Sequence, residues 1–254
     1  HLSPEIDNEE YTGGKKLGEL LDGLEPQFSN ELHLKTSIRS IRSDKVSDFV
    51  RALLNVETNE AVSLYNDFKK KYPIVITRDL KKAKNWLKSK RRGEQRTGII
   101  VSSKGHRLLA EGYQVPKAND TKYIPAWFLN PDKTKITIKR PDDVRSSNYL
   151  ETVATEFGIQ GLELDWVCVA WEGDLRFTNS DSWSYHNFSG TNWQNVSGVR
   201  QLYLKNAYRV LLTRARLGMV IFIPKGNTND WTRKPEFYDS TFNYLKKIGI
   251  EELS

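Results

Sequence analysis

Short apolar runs separated by stretches of helical periodicity constrain this chain more than anything else in it. They are Ile74-Val75-Ile76 and residues 97–103 (Thr-Gly-Ile-Ile-Val-Ser-Ser), 149–155, 166–170 and 219–224. Runs this short and this apolar suit strands covered on both faces. Strand–helix–strand alternation implies a parallel sheet with right-handed crossovers. The expected fold class is therefore α/β, a parallel sheet flanked by helices. Between 167 and 199 the pattern changes, with Trp171, Phe177, Trp183, Tyr185, Phe188 and Trp193 interleaved with Asn, Ser and Gly. This predicts a small aromatic-rich β insertion over about 171–199, its aromatics forming its own core, with base stacking as the alternative.

Helices are expected at 15–24 and at 44–54, the latter with Ser43 as N-cap and Val46, Phe49, Val50 and Leu53 inward. Others follow at 59–71, from Thr77 or Asp79 onward, and at 206–216, where the helix ends in arginines. A last one is opened by Asp239-Ser240-Thr241 and closed near Gly249. Residues 112–148 are irregular and punctuated by Pro116, Pro125, Pro131 and Pro141, with Trp127 in an apolar anchor.

Charge is unevenly distributed. The chain carries a net +7, yet residues 67–107 alone hold fourteen Lys and Arg against Asp67, Asp79 and Glu94. The helix after residue 79 places Leu80, Ala83, Trp86 and Leu87 on one face. Lys81, Lys82, Lys84, Lys88, Lys90, Arg91 and Arg92 form the other. Such a face is either solvated or a phosphate-contact surface with salt-dependent affinity. Ser102, Ser103, Lys104 and Arg107 sit at or just past a strand's end, a usual ligand edge in parallel sheets.

Several chemistries are excluded. No apolar run reaches membrane-spanning length and no signal peptide opens the chain, so no membrane partner is expected. One cysteine, Cys168, rules out an internal disulfide, fits a reducing cytoplasm and reads as a buried small hydrophobe. His1, His33, His106 and His186 lack metal-ligand spacing, and no Gly-x-Ser-x-Gly elbow occurs. Neither a phosphate loop nor an Asp-Glu strand end is present. The one methionine is Met219, so the chain reads as part of a longer protein.

Residues 149–170 combine a strand, a polar turn, a Gly161-Leu162-Glu163 step and a second strand. Gly161 lets backbone approach a ligand closely, and Glu163 can accept hydrogen bonds from a ribose hydroxyl. Gln160-Gly161-Leu162-Glu163-Leu164-Asp165, followed by Leu211-Leu212-Thr213-Arg214-Ala215-Arg216, resembles motifs V and VI of superfamily 1 helicases. Asp143-Val144-Arg145-Ser146-Ser147-Asn148, residues 151–166 and 203–224, and Thr232-Arg233-Lys234-Pro235-Glu236-Phe237-Tyr238-Asp239 are similar to the Schlafen group 3-like DNA/RNA helicase domain of bacterial proteins. The resemblance covers nearly the whole chain.

It implies a second RecA-like helicase domain over 33–254, joined through 1–32 to an N-terminal RecA-like domain of the same protein. That partner half would hold ATP with Mg2+. Arg214 would serve as an arginine finger, and the alternative is a helix C-terminal cation, a role that Arg216 fits. The loop before residue 44 resembles motif IV, with Arg39 as a second phosphate cation and Arg42 as the next match; two solvated arginines are the alternative. Gln160, Gly161 and Glu163 would shape the ribose side, and Asp165 a structural cap. Single-stranded DNA or RNA would run past Ser102, Ser103, Lys104, Arg107, Lys81, Lys88 and Arg91. A nucleic-acid-binding module without catalysis is the rival reading, and a nuclease using Glu156, Glu163 and Asp165 is a weaker third.

Overall fold

The computed structural model describes residues 41–117, 123–128 and 145–253. The connecting segment expected at 1–32, Arg39 and Asp143-Val144 lie outside them. A six-stranded, wholly parallel sheet forms the centre, in the order β3-β2-β4-β8-β1-β9. Its strands are β1 (Ile74–Thr77), β2 (Thr97–Val101), β3 (Val153–Thr155), β4 (Leu164–Ala170), β8 (Ala215–Phe222) and β9 (Glu251–Glu252). A second, antiparallel sheet, β5 (Leu175–Phe177), β6 (Trp183–Ser189) and β7 (Asn192–Asn195), occupies the expected insertion.

Strand side chains alternate between faces, and here both faces are apolar. Ile74, Ile76, Ile100, Val167, Val169, Met219 and Ile221 point into one core. It is closed by Phe49 and Leu53 of α1 (Ile41–Leu54), Tyr65 of α2 (Thr58–Phe68), Tyr208 of α5 (Val199–Leu212) and Leu245 of α6 (Glu236–Lys247). Ile99, Val101, Cys168, Val220 and Phe222 point into the other, under Ala83, Trp86 and Leu87 of α3 (Leu80–Lys90). Period-two burial on two covered faces is why each strand reads as an unbroken apolar run. Cys168 is fully buried, and desolvation pushes its thiol up to about 12.

Local chemistry sets the helix boundaries. Asp79 starts α3 by accepting the Lys81 and Lys82 amides at 2.8 and 3.1 Å. Ser43 is not a cap, because the chain is already helical at Ile41. The last helix opens at Glu236 rather than Asp239, since Pro235 already has helical dihedrals. Asp239 instead pairs with Arg78 at 2.8 Å. The helix ahead of β8 ends at Leu212, so Arg216 stands in the strand. Residues 149–155 are not one strand. Ser147–Tyr149 form a 3-10 turn, Leu150 is left-handed (φ 62°), and pairing begins only at Val153.

The insertion's aromatics pack on one another, as their spacing suggested. Trp171 stacks on Trp183 with centroids 5.6 Å apart, and Phe177 lies flat on Tyr244 of α6 at 3.9 Å. Trp127, on the short helix α4 (Tyr123–Phe128), is fully buried. Its ring lies so close over Gly98 of β2 that a Cβ there would meet it at 2.8 Å. Removing the ring leaves a void that this backbone cannot fill. Trp127→Ala is therefore expected to lower the free energy of unfolding by about 3–5 kcal/mol, whereas Lys81→Ala changes it by less than about 0.5 kcal/mol; urea titration of both checks this.

Candidate functional site

The sheet presents two polar edges. Segments entering β2, β4 and β8 form the first, at the strands' N-terminal ends. Residues 156–163 cross from the end of β3 to the start of β4, because parallel strands require a return. The polar turn is thus not a single strand-end loop as expected. Glu156 stays at one edge, while Gln160, Gly161 and Glu163 reach the other, where all three are exposed. Gly161 has φ 76°, and nothing lies within 4 Å of where its Cβ would be. A backbone that favours glycine thus faces open space.

Arg214 stands beside this turn, half-buried, and its Nη1 donates to the Leu162 carbonyl at 3.1 Å. At the end of α5 the Thr213 hydroxyl donates to the Arg209 carbonyl at 2.8 Å. Register slips between Leu164/Ala215 and Trp166/Gly218, leaving one extra residue on β8. Such a bulge re-aims side chains, and Arg216 reaches Glu163 at 3.6 Å and Asp165 at 3.8 Å. Both contacts are long and Arg216 is exposed, so they hold it loosely. Asp165 accepts the Arg96 amide at 2.8 Å, a structural role matching its expected place as a cap.

The opposite edge is built from segments leaving β2, β3, β4 and β8. The Ser103 amide and hydroxyl both donate to Glu156, each at 2.7 Å. Ser102 is fully buried beside Asp174, so its hydroxyl faces the interior rather than a polymer. Lys104 is exposed. Arg107 donates to Asp230 at 2.9 Å and lies over the Phe188 ring at 5.2 Å.

Beneath this edge lies a polar cluster. Tyr208 donates to Asp174 at 2.5 Å and accepts the Glu172 amide at 3.2 Å. Glu172 accepts from Gly173 at 2.7 Å and from the Tyr238 hydroxyl at 3.0 Å. Arg176 donates to the Gly173 carbonyl at 2.6 Å and stacks on Phe237 at 3.6 Å. Burial raises Glu172 to about 7 and Asp174 to about 6, against the hydrogen bonds that favour their charged forms. Burial also lowers Arg176 to about 10. The one sequence signal for this cluster is three ionisable residues set between two aromatics, Trp171-Glu172-Gly173-Asp174-Leu175-Arg176-Phe177. No spacing rule named their role.

The basic helix spans both edges. An eleven-residue α3 is about 16 Å long, and it runs from the end of β1 to the start of β2. Lys81 therefore stands at the Ser103 and Lys104 edge, while Lys88 and Arg91 stand at the Arg214 edge. The seven residues assigned to one polymer track do not form one patch. Lys84 is engaged with Glu151 at 3.1 Å, and Arg91 with the Gln95 carbonyl at 3.0 Å. Arg42 falls in the first turn of α1, and Arg39 lies outside the described residues. Among the described residues no three His, Cys, Asp or Glu are placed to share a metal ion, and no helix is long and apolar enough to cross a membrane.

The family whose model matches this chain is described as Schlafen group 3, DNA/RNA helicase domain, and the match spans residues 4–225. No curated protein and no solved structure matches it.

Glu172 makes the cluster pH-sensitive. Its folded value lies above the ordinary 4.5, so folding favours the neutral form. That contribution is whole below about 4.5 and is lost as pH rises through about 7. Glu172→Gln, which keeps the shape without the charge, is expected to be more stable than the parent at about pH 8, by on the order of 2 kcal/mol. The two should converge near 4.5. Urea unfolding at both pH values checks this; a variant less stable at the higher pH would mean that the ionised carboxylate is needed.

Proposed function

Because this chain belongs to the Schlafen group 3 DNA/RNA helicase domain family, we propose that it is the second RecA-like half of an ATP-driven helicase or translocase acting on single-stranded DNA or RNA. The observation that carries this reading is Arg214. Its guanidinium is held at 3.1 Å by the Leu162 carbonyl, beside the exposed Gly161 and Glu163.

An arginine finger must be positioned before its phosphate arrives, and the Leu162 carbonyl positions the Arg214 guanidinium beside the Gly161 turn. The open Gly161 backbone and the Glu163 carboxylate form the ribose side of the same edge, and Gln160 flanks it. These residues fit the rim of a nucleotide site and not the whole of one, since the chain has no phosphate loop. ATP with Mg2+, held mainly by the N-terminal RecA-like domain of the same protein, supplies the transferable phosphoryl group and the metal. Arg214 stabilises charge on that group only when the two halves close, with Arg39 and Arg42 as further cations. Turnover is thereby tied to closure, and closure to movement of the strand along the other edge.

The rival reading, a nucleic-acid-binding module without catalysis, draws on that same missing phosphate loop. The two part on one variant. Arg214→Ala in the full-length protein is expected to cut ATP turnover about 10³- to 10⁵-fold while leaving its melting temperature within a few degrees of the parent. Steady-state hydrolysis beside a thermal melt checks both, and normal turnover in that variant contradicts the assignment.

A further inference from the structure

Trp231 is 54% exposed, although its neighbours Thr232 and Arg233 are buried. Single exposed apolar side chains are ordinary, so exposure alone means little. What distinguishes this one is the rigidity of its mount. Trp231 opens a 3-10 turn (Trp231–Arg233) capped by Asp230. One Asp230 oxygen accepts the Thr232 amide and hydroxyl at 3.0 and 2.6 Å. The other accepts Arg107 at 2.9 Å and Arg233 at 3.2 Å. Arg233 also donates to Glu111 at 2.7 Å, and the Trp193 indole donates to the Thr232 carbonyl at 2.7 Å. Gly226 packs so close that a Cβ there would meet the Arg233 carbonyl at 2.6 Å. The turn is fixed from four sides, yet its largest side chain faces water.

The surroundings specify what would cover it. The bridges from Arg107 and Glu111 clamp the turn against the 3-10 helix His106–Glu111, whose Leu109 is 60% exposed. The two clamped segments also carry Lys104, Lys225 and Lys234, all exposed. The acids within the frame are already paired, Asp230 with Arg107 and Arg233 and Glu111 with Arg233. A flat aromatic face on a rigid turn, with exposed lysines on the segments clamped together there, suits an unpaired base flanked by phosphates.

We propose that Trp231 is a stacking platform for one base of a single-stranded nucleic acid, with Lys104, Lys225 and Lys234 neutralising the adjoining phosphates. This rests on the reading of the chain as a nucleic-acid-binding helicase half. It adds a contact that neither the helicase motifs nor the basic helix supplies. The interaction is sequence-tolerant, because every base has a π-face.

The test is fluorescence anisotropy of the 254-residue chain with fluorescein-labelled oligothymidylate and oligouridylate of about sixteen nucleotides, over a range of salt. Trp231→Ala should weaken binding about 5- to 100-fold, with an unchanged salt slope and unchanged melting temperature. Trp231→Phe should restore most of the loss. Lys104→Ala should instead make the salt slope shallower by about 0.7. Parent binding with an unaffected Trp231→Ala variant overturns the stacking site and leaves the nucleic-acid reading intact. Absence of binding by the parent overturns both. Self-association of the parent that Trp231→Ala abolishes, with oligonucleotide affinity unaltered, assigns the surface to a protein contact and also overturns the proposal.

Discussion

Asp174 lies fully buried below one edge of the sheet, and three parts of the chain are fixed by meeting on it. Removing a carboxylate from water costs several kcal/mol unless hydrogen bonds offset the loss. Here the Tyr208 hydroxyl of α5 donates to Oδ1 at 2.5 Å, and Ser102 after β2 and Leu175 of the insertion also favour the charged form, while Oδ2 has no hydrogen-bond partner. If Tyr208 moved, it would leave Oδ1 without its donor as well. Glu172 extends the arrangement to Tyr238 and hence to α6. The insertion is thus locked to the sheet by polar contacts as well as by its rings.

The same node bears on the opposite edge. Tyr208 and Arg214 are six residues apart, the first in α5 and the second just beyond its end. Anchoring Tyr208 on Asp174 fixes α5, and with it the exit from which Arg214 reaches the Leu162 carbonyl. The fold therefore holds a cation at one end of the strands and a clamped loop at the other on one rigid frame. The proposed function, with nucleotide on one side and a strand on the other, would use that separation.

Much of this was legible in the sequence for simple reasons. Strands buried on both faces betray themselves as apolar runs, Asp79 caps by the usual side-chain chemistry, and spaced Trp and Phe residues packed together as the insertion's core. What stayed hidden depends on long-range geometry. Nothing local shows that residues 156–163 cross from one edge to the other, or that a bulge moves Arg216 out of the helix end and toward Glu163. That the basic helix divides its charges between two edges follows only from the strand order. Glu172 and Asp174 were visible as charges, but their burial depends on Tyr208 and Tyr238, which are distant in sequence. Gly161 and Arg214 are paired by family resemblance, since spacing says nothing about segments entering different strands.

The central claim is that Arg214 and the Gly161 turn complete a nucleotide site whose turnover is coupled to a strand on the other edge. Its most direct test is steady-state ATP hydrolysis by the full-length protein, with and without single-stranded DNA and RNA. The account predicts hydrolysis that one of these polymers stimulates strongly. No hydrolysis under any condition, or hydrolysis indifferent to both polymers, would contradict it.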